Sequence, residues 1–139
     1  KQMIEQRGLS TKVHFHGRIN YENLQPFFDK ANLGVAFVPM TPYYDCQPST
    51  KIYEYVLSGI YCIATNTYEN RILIEPINGL ICDDNSDSFG KALEQYYCLD
   101  KSQFDSDTIK ASMEQYLWKN VINDKLLALF NKCLKKIKF

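Results

Sequence analysis

Hydrophobic and polar residues along this chain fall into blocks whose lengths predict alternating strands and helices. Residues 33–38 (LGVAFV) form a nearly continuous apolar run, typical of a strand that is buried on both faces of a parallel sheet. Two further runs, 61–65 (YCIAT) and 80–82 (LIC), are rich in strand-forming side chains. Near the start of the chain, the alternation in residues 13–17 (VHFHG) predicts a short strand.

The residues between these runs have the spacing of helices. Residues 1–7 resemble the end of a helix that Gly8 terminates, so we expect the chain to be part of a longer protein. After Asn20, a suitable N-cap, apolar residues recur at i, i+3, i+4 and i+7. These residues are Leu24, Phe27, Phe28 and Ala31. A helix over 50–58 is predicted to turn Ile52 and Val56 inward.

Two helical segments follow the last predicted strand. A helix capped by Ser86 or Asp87 is expected to turn Phe89, Leu93 and Tyr97 inward. Residues 107–138 also have helical spacing, with an expected break near 120–124, and they end in the basic sequence KCLKKIKF. Two interpretations of this end remain open: a helix packed on the domain with a solvated cationic terminus, or contact with a membrane surface.

The order of the predicted elements is that of a layered α/β domain. We therefore expect one domain over 1–139, long enough for a single substantial core. Its fold class would be a Rossmann-like parallel sheet with flanking helices, and the helical segment 107–138 would pack on it.

Composition narrows the classes of function. Sixteen basic and sixteen acidic residues give a net charge of zero, which argues against a sequence-independent nucleic-acid binder. No apolar run approaches the roughly 20 residues that span a bilayer. The five cysteines are odd in number and lack C-x-x-C spacing, so we expect reduced thiols in a cytoplasmic protein. His14 and His16 would share a strand face, but no third metal ligand has suitable spacing.

The start of the helix over 50–58 has the most distinctive chemistry. Lys51 lies where the helix dipole repels a cation unless an anion joins them. The first N–H groups of a helix lack intrahelical partners and bind phosphate readily, and Ser49 is the predicted N-cap. Glu54 follows Lys51 by one turn, so an ion pair worth ~0.2–0.5 kcal/mol is the alternative to an anion site. The preceding loop, residues 39–48, lies where ligands bind in open α/β sheets, unless it is only a rigid connector.

Six stretches occur in a recognisable order: VHFHG, LGVAFV, PSTKIYEYVLSG, YCIATN, NGLICDD and the region of Tyr116 and Trp118. Their order and spacing resemble the carboxyl-terminal domain of GT-B glycosyltransferases, specifically the retaining group 1 family, also called family 4. The resemblance covers nearly the whole chain. It implies a domain that binds a nucleotide-diphospho-sugar donor, while an amino-terminal half, absent from this sequence, binds the acceptor.

The resemblance implies a donor site made of six residues, which are Ser49, Thr50, Lys51, Glu54, Arg18 and Ile19. Glu54 matches the second glutamate of the family's E-x7-E motif, which binds the ribose hydroxyls of the donor. Lys51 and the amides near Ser49 and Thr50 would bind the diphosphate, and Arg18 and Ile19 would surround the base. The family implies no metal and no further cofactor.

The sequence departs from the family in two respects. Cys46 stands where many members have the first glutamate, which contacts the sugar, although Asp45 is adjacent and is a candidate substitute. The first two strands of the family's domain, which carry an Arg and a Lys of the phosphate clamp, are also missing. We therefore expect VHFHG to pair directly with LGVAFV, or a second copy of the chain to complete the sheet as a homodimer.

The resemblance implies a parent enzyme of carbohydrate biosynthesis that transfers a hexosyl group to an acceptor hydroxyl with retention. No side chain here resembles a general base or nucleophile, so no catalytic residue is predicted, and the chain alone should be inactive. The alternative is a non-catalytic α/β scaffold derived from such an enzyme. A flavodoxin-like regulatory domain would need an acidic cluster at the strand ends, which the pattern does not predict.

Overall fold

The computed structural model describes residues 1–136 and divides them into two compact units. The first unit, Lys1–Lys30, contains α1 (Gln2–Gln6), a 3-10 helix (Tyr21–Asn23) and α2 (Gln25–Phe28). Gly8, with a φ of 65°, follows the end of α1 as predicted, because this conformation favours a residue without a β-carbon. No residue of 1–30 is buried.

Residues 13–17 form no strand in this first unit, so the strand predicted from VHFHG is wrong. Their side chains are exposed, and the ring of His16 contacts Phe27 edge to face with centroids 4.7 Å apart. Direct pairing of this segment with residues 33–38 is therefore also wrong. Completion of the sheet by a second copy of the chain stays a prediction.

The second unit begins at Ala31 and contains a three-stranded parallel sheet. The strands β1 (Leu33–Ala36), β2 (Tyr61–Thr65) and β3 (Gly79–Cys82) lie in the order β1-β2-β3. Cys62 of the central strand pairs with Gly34 on one side and with Gly79 on the other. The predicted α/β class with a parallel sheet is confirmed, and the carboxyl ends of all three strands meet at one edge.

Helices connect and follow these strands. The helices between the strands and directly after β3 are α3 (Pro42–Asp45), α4 (Thr50–Leu57), α5 (Tyr68–Leu73) and α6 (Ser86–Cys98). After them come a 3-10 helix (Lys101–Gln103), α7 (Ser106–Ala111), a second 3-10 helix (Glu114–Tyr116), α8 (Trp118–Asn120), a π-helix (Val121–Leu126) and α9 (Leu127–Lys136).

Helices α4 and α6 cover opposite faces of the sheet. Tyr55 of α4 lies so close to the α-carbon of Gly34 that no β-carbon would fit there. On the other face, Tyr96 of α6 contacts Tyr61 of β2, with ring centroids 5.6 Å apart. The core between these layers includes fully buried side chains from α4, β1 and β2. They are Ala36, Ile52, Val56, Cys62, Ile63 and Ala64.

Two predicted burial patterns need correction. Strand β1 is not buried on both faces, because Val35 is 36% exposed and Phe37, just beyond the strand, is 39% exposed. In α6, Phe89 and Leu93 pack against the core as predicted, but Tyr97 is 75% exposed and its neighbour Tyr96 is buried instead. The N-cap of α6 was predicted to be Ser86 or Asp87, but it is Asn85. The side chain of Asn85 accepts a hydrogen bond from the Ser88 N–H.

The segment predicted as helical over 107–138 packs on the unit only in its first part. Ile109 and Met113 are buried, and Tyr116 contacts Tyr53 of α4 with ring centroids 5.3 Å apart. Residues 122–135 are all exposed. Positions 137 and 138 of the predicted segment lie outside the described residues. Across residues 1–136, no helix combines the length and apolar character needed to cross a membrane.

The five cysteines divide into two reactivity classes. Cys62 and Cys82 are buried, and burial raises the pKa of the Cys62 thiol to about 12. Cys46, Cys98 and Cys133 are exposed.

Because the thiolate is the reactive form, three thiols of the native protein should react rapidly with a disulfide reagent at pH 8, and all five after denaturation. The yellow thiolate released by Ellman's reagent measures both numbers, and five rapid equivalents in the native protein would contradict this burial.

Candidate functional site

The loops at the carboxyl edge of the sheet are joined by hydrogen bonds. In the loop after β1, the Val38 N–H donates to Thr65 Oγ1 at 3.1 Å, at the end of β2. Two residues later, the Met40 N–H donates to Asp84 Oδ2 at 3.0 Å, in the loop after β3. The loop that leads from β1 to α4 is therefore held by the end of β2 and by the loop after β3.

Polar side chains occupy the same edge after β2 and β3. Asn66 Nδ2 donates to Asp83 Oδ1 at 3.3 Å, and Arg71 Nη1 donates to the backbone oxygen and Oδ1 of Asn66 at 3.2 and 3.1 Å. Asp83 and Asp84 place two carboxylates directly after β3. Both carboxylates accept hydrogen bonds from this edge. The described residues include no group of three or more His, Cys, Asp or Glu that could hold a metal ion.

The start of α4 differs from the starts of α5, α6 and α7. Ser49 has extended backbone angles (φ −81°, ψ 113°) and occupies the predicted N-cap position, but its side chain accepts no hydrogen bond from the helix. In α5, α6 and α7, the N-cap side chain does accept such a bond. The Ile52 N–H donates to the Ser49 carbonyl at 3.1 Å, whereas the N–H groups of Thr50 and Lys51 have no acceptor among the described residues and are free to bind an anion.

Lys51 and Glu54 lie one turn apart on this helix. Lys51 is exposed and Glu54 is half-buried. Within residues 1–136, neither side chain has a hydrogen bond or an ion pair with another residue. The alternative interpretation, an ion pair between them, is therefore wrong. Chemically, α4 offers an ammonium group for an anion and a carboxylate that can accept from two hydroxyls.

The structure brings four of the six predicted site residues together. Ser49, Thr50, Lys51 and Glu54 lie in the N-cap and first turns of α4. Arg18 and Ile19 lie in the first unit, between residue 17 and the 3-10 helix at Tyr21–Asn23, with Arg18 exposed and Ile19 half-buried. The binding roles of all six residues stay predictions.

The sequence did not predict the contacts that Asp45 and Asp84 make at this edge. Asp45 Oδ1 accepts a hydrogen bond from the Tyr68 N–H at 2.8 Å, so this carboxylate holds the start of α5. Asp84 holds the backbone of Met40 in the same way. A signal was present in Asp84, since polar residues directly after a buried strand often lie at the ligand-binding edge. Asp45 carried no such signal, because its partner lies 23 residues away.

A comparison with family models decides the family of this chain. The model described as glycosyl transferases group 1 matches residues 1–98 of the 139. The chain belongs to this family. None of the curated proteins gives a significant match.

The group 1 glycosyltransferase match contains the whole sheet and ends with α6 at Cys98. It includes the uncapped start of α4 with Lys51 and Glu54, and it also includes Arg18 and Ile19. The family relationship links this domain to enzymes that transfer sugars. Helices α7 to α9 lie beyond the matched residues.

Proposed function

We propose that this group 1 glycosyltransferase domain binds the nucleotide-diphospho-sugar donor of a retaining, metal-independent GT-B enzyme of family 4. The observation that carries the proposal is the uncapped start of α4, with Lys51 beside it, at the carboxyl edge of the sheet. Ligands of open α/β sheets bind at this edge.

The diphosphate is assigned to the first turn of α4. A helix start carries roughly half a positive charge, and its free N–H groups donate to phosphate oxygens. Lys51 adds a full positive charge in the same turn. Without a ligand, this lysine and the positive end of the helix dipole repel each other. A bound anion attracts both, so their proximity favours a phosphate ligand at this position.

The ribose is assigned to Glu54, one turn further along α4. An ionised carboxylate has two acceptor oxygens and can accept hydrogen bonds from two vicinal hydroxyls. The half-buried position of Glu54, without a hydrogen-bonding or ion-pairing partner among residues 1–136, leaves these acceptors for a ligand.

The chemistry assigned to this domain is stabilisation of the leaving group. When the bond between sugar and diphosphate breaks, negative charge grows on the diphosphate, where Lys51 and the helix start stabilise it. On this proposal the chain alone binds the donor without transferring sugar, because the acceptor is held by a separate domain. The proposal includes a cytoplasmic location, which the five free thiols support.

Calorimetric titration with nucleoside diphosphates tests this assignment. Lys51→Ala and Glu54→Ala should each weaken binding of the best ligand, such as UDP, GDP or ADP, about tenfold or more, because each removes a charge-assisted hydrogen bond. Removing the second phosphate separates the two roles. With the corresponding nucleoside monophosphate, Glu54→Ala should still weaken binding, whereas Lys51→Ala should matter much less.

Matched control variants are available on other helices. Lys110 of α7 and Glu94 of α6 are exposed, so Lys110→Ala and Glu94→Ala remove the same kinds of charge away from α4. Both controls should bind like the wild-type chain. Equal affinity of the wild-type chain, Lys51→Ala and Glu54→Ala would defeat the donor-site assignment.

A non-catalytic scaffold is the second candidate function, and one observation favours it. Cys46 stands at the position of the sugar-contacting glutamate, and the neighbouring Asp45 carboxylate already accepts a hydrogen bond from Tyr68. A scaffold would have no need for a donor. The same titration separates the two candidates, because the scaffold predicts no measurable binding of any nucleoside diphosphate by the wild-type chain.

A further inference from the structure

An apolar stripe runs along the helical segment that follows the packed part of the chain. Its residues occur at every fourth position, and all of them are exposed, from 39% for Ile122 to 80% for Trp118. They are Trp118, Ile122, Leu126, Phe130 and Leu134. This set of large apolar side chains is contributed by one continuous segment, which we call the C-terminal stripe helix (residues 118–135).

The helix geometry brings these residues toward one side. In a regular α-helix, positions four apart are offset by about 40°, so the stripe would wind through about 160° along its length. The π-helix at Val121–Leu126 has wider turns, so it offsets part of this drift. The apolar side chains therefore share a face more closely than a regular helix would allow.

Cationic side chains accompany this stripe. The segment contains four lysines and one aspartate, which are Lys119, Lys125, Lys132, Lys135 and Asp124. Since the whole chain has equal numbers of basic and acidic residues, this positive charge is a local concentration. Lys119, Lys125 and Lys135 lie directly beside stripe positions in the sequence, where long side chains can extend past an apolar face toward water.

We propose that the C-terminal stripe helix binds the surface of an anionic phospholipid membrane, with its apolar face in the interfacial region. A helix with Trp, Phe and Leu on one face and lysines beside it binds an interface through apolar burial and attraction to anionic lipid. The excess of lysine over aspartate selects a negatively charged surface. No residue of 122–135 is buried, so the face is available to such a surface.

The position of the helix in the chain fits this role. Its start is held to the domain, because Tyr116 packs against Tyr53 of α4. The helix lies beyond residues 1–98, which match group 1 glycosyltransferases, so its membrane-binding role is argued from residues 118–135 alone. It goes beyond the proposed donor site and does not depend on it, since membrane binding requires no nucleotide.

Trp118 allows a direct experiment, because it is the one tryptophan in the sequence and it lies in the stripe. The full chain is mixed with vesicles of phosphatidylglycerol and phosphatidylcholine, or of phosphatidylcholine alone, in the absence of nucleotide. With anionic vesicles we expect Trp118 emission to shift to shorter wavelength and the protein to float with the vesicles. Binding should weaken as salt screens the lysines.

Paired variants test the face and the charge separately. Lys125→Glu with Lys132→Glu should weaken vesicle binding about tenfold or more, whereas Lys91→Glu with Lys110→Glu, an equal charge change at exposed positions outside the helix, should leave it unchanged. Phe130→Ser should also weaken binding, whereas Tyr97→Ser, at a side chain that is 75% exposed on α6, should not.

Three outcomes would overturn the proposal. The first is equal binding to anionic and zwitterionic vesicles, or binding to neither. The second is equal weakening by the two double-lysine variants, which would mean that only net charge matters. The third is a dimer in light scattering that Phe130→Ser dissociates while the wild-type chain ignores vesicles, because the stripe would then be a protein interface.

Discussion

Gly79→Ala should lower the free energy of unfolding by about 3 kcal/mol. A β-carbon at position 79 would overlap the carbonyl oxygen of Cys62 on the central strand and would lie 3.0 Å from the side chain of Ile74. The carbonyl belongs to a backbone that is paired on both sides, so it cannot move without disturbing the register. Urea denaturation followed by far-ultraviolet circular dichroism measures the loss.

Gly90→Ala is the matched control for this substitution. Gly90 lies inside α6, and a β-carbon there would meet no atom within 4 Å. Alanine should therefore raise the free energy of unfolding by about 0.5–1 kcal/mol, because glycine loses more conformational freedom in a helix. If the two variants changed stability in the same direction, the close approach of β2 and β3 would be incorrect.

Asn78→Ala should also cost about 3 kcal/mol, for a different reason. Asn78 is 1% exposed, and its side chain makes three hydrogen bonds. Its Oδ1 accepts from the Glu75 N–H at 2.9 Å, and its Nδ2 donates to the Leu73 carbonyl at 3.2 Å and to Ser112 Oγ at 2.9 Å. Truncation leaves the Leu73 carbonyl without this partner in the buried interior and removes two further hydrogen bonds that are partly buried.

Two further variants check that the cost belongs to this network. Asn85→Ala removes an exposed asparagine that caps α6 and should cost about 1 kcal/mol. Ser112→Ala removes only the hydroxyl end of the network, so its effect and that of Asn78→Ala should not add fully in the double variant. An Asn78→Ala cost no larger than that of Asn85→Ala would show that the buried amide contributes little.

The central part of the fold could be predicted from the sequence because local and long-range preferences agree there. The predicted strand at residues 61–65 is confirmed, and every residue of it is buried. The helix predicted over 50–58 is observed at Thr50–Leu57, with Ile52 and Val56 buried. Gly59, with a φ of 75°, ends it, and the Ile60 N–H bonds to the Tyr55 carbonyl as the chain leaves the helix.

The prediction of a strand from VHFHG was wrong because alternating apolar and polar side chains do not show whether the backbone has a hydrogen-bonding partner. A strand requires a neighbour for its N–H and C=O groups, and sequence alone does not reveal whether one is present. His16 packs against Phe27 of the same unit instead. The exposure of Val35 has a related cause, since β1 pairs with β2 alone in the described sheet.

The error in α6 concerns helix geometry. Phe89, Leu93 and Tyr97 were expected on one face, yet eight residues overshoot two turns by about 80°, whereas seven residues fall within about 20° of two full turns. Tyr96 therefore lies beneath the sheet, where its hydroxyl donates to the Asn32 carbonyl at 3.0 Å. A stricter use of the 3.6-residue period would have predicted it.

At the candidate site, the sequence predicted the residue types but not their contacts. Lys51 and Glu54 have the spacing of a helical ion pair as well as that of a ligand site, and the two arrangements differ only in where the side chains lie. The anchoring role of Asp45 depends on an acceptor and a donor that lie 23 residues apart. Such pairings arise from the packing of the loops, and local patterns do not encode them.

The hydrogen bonds that the Met40 N–H donates to Asp84 and the Tyr68 N–H donates to Asp45 fix two points of the segment between β1 and α4. The loop therefore loses much of its conformational entropy when the protein folds, and little remains to be lost when a ligand arrives. Substitution of the side chains between these points, at 41–44, leaves both hydrogen bonds in place, because neither bond involves those residues. Under the proposed function, changes in this loop can alter ligand selectivity while the start of α4 keeps its position.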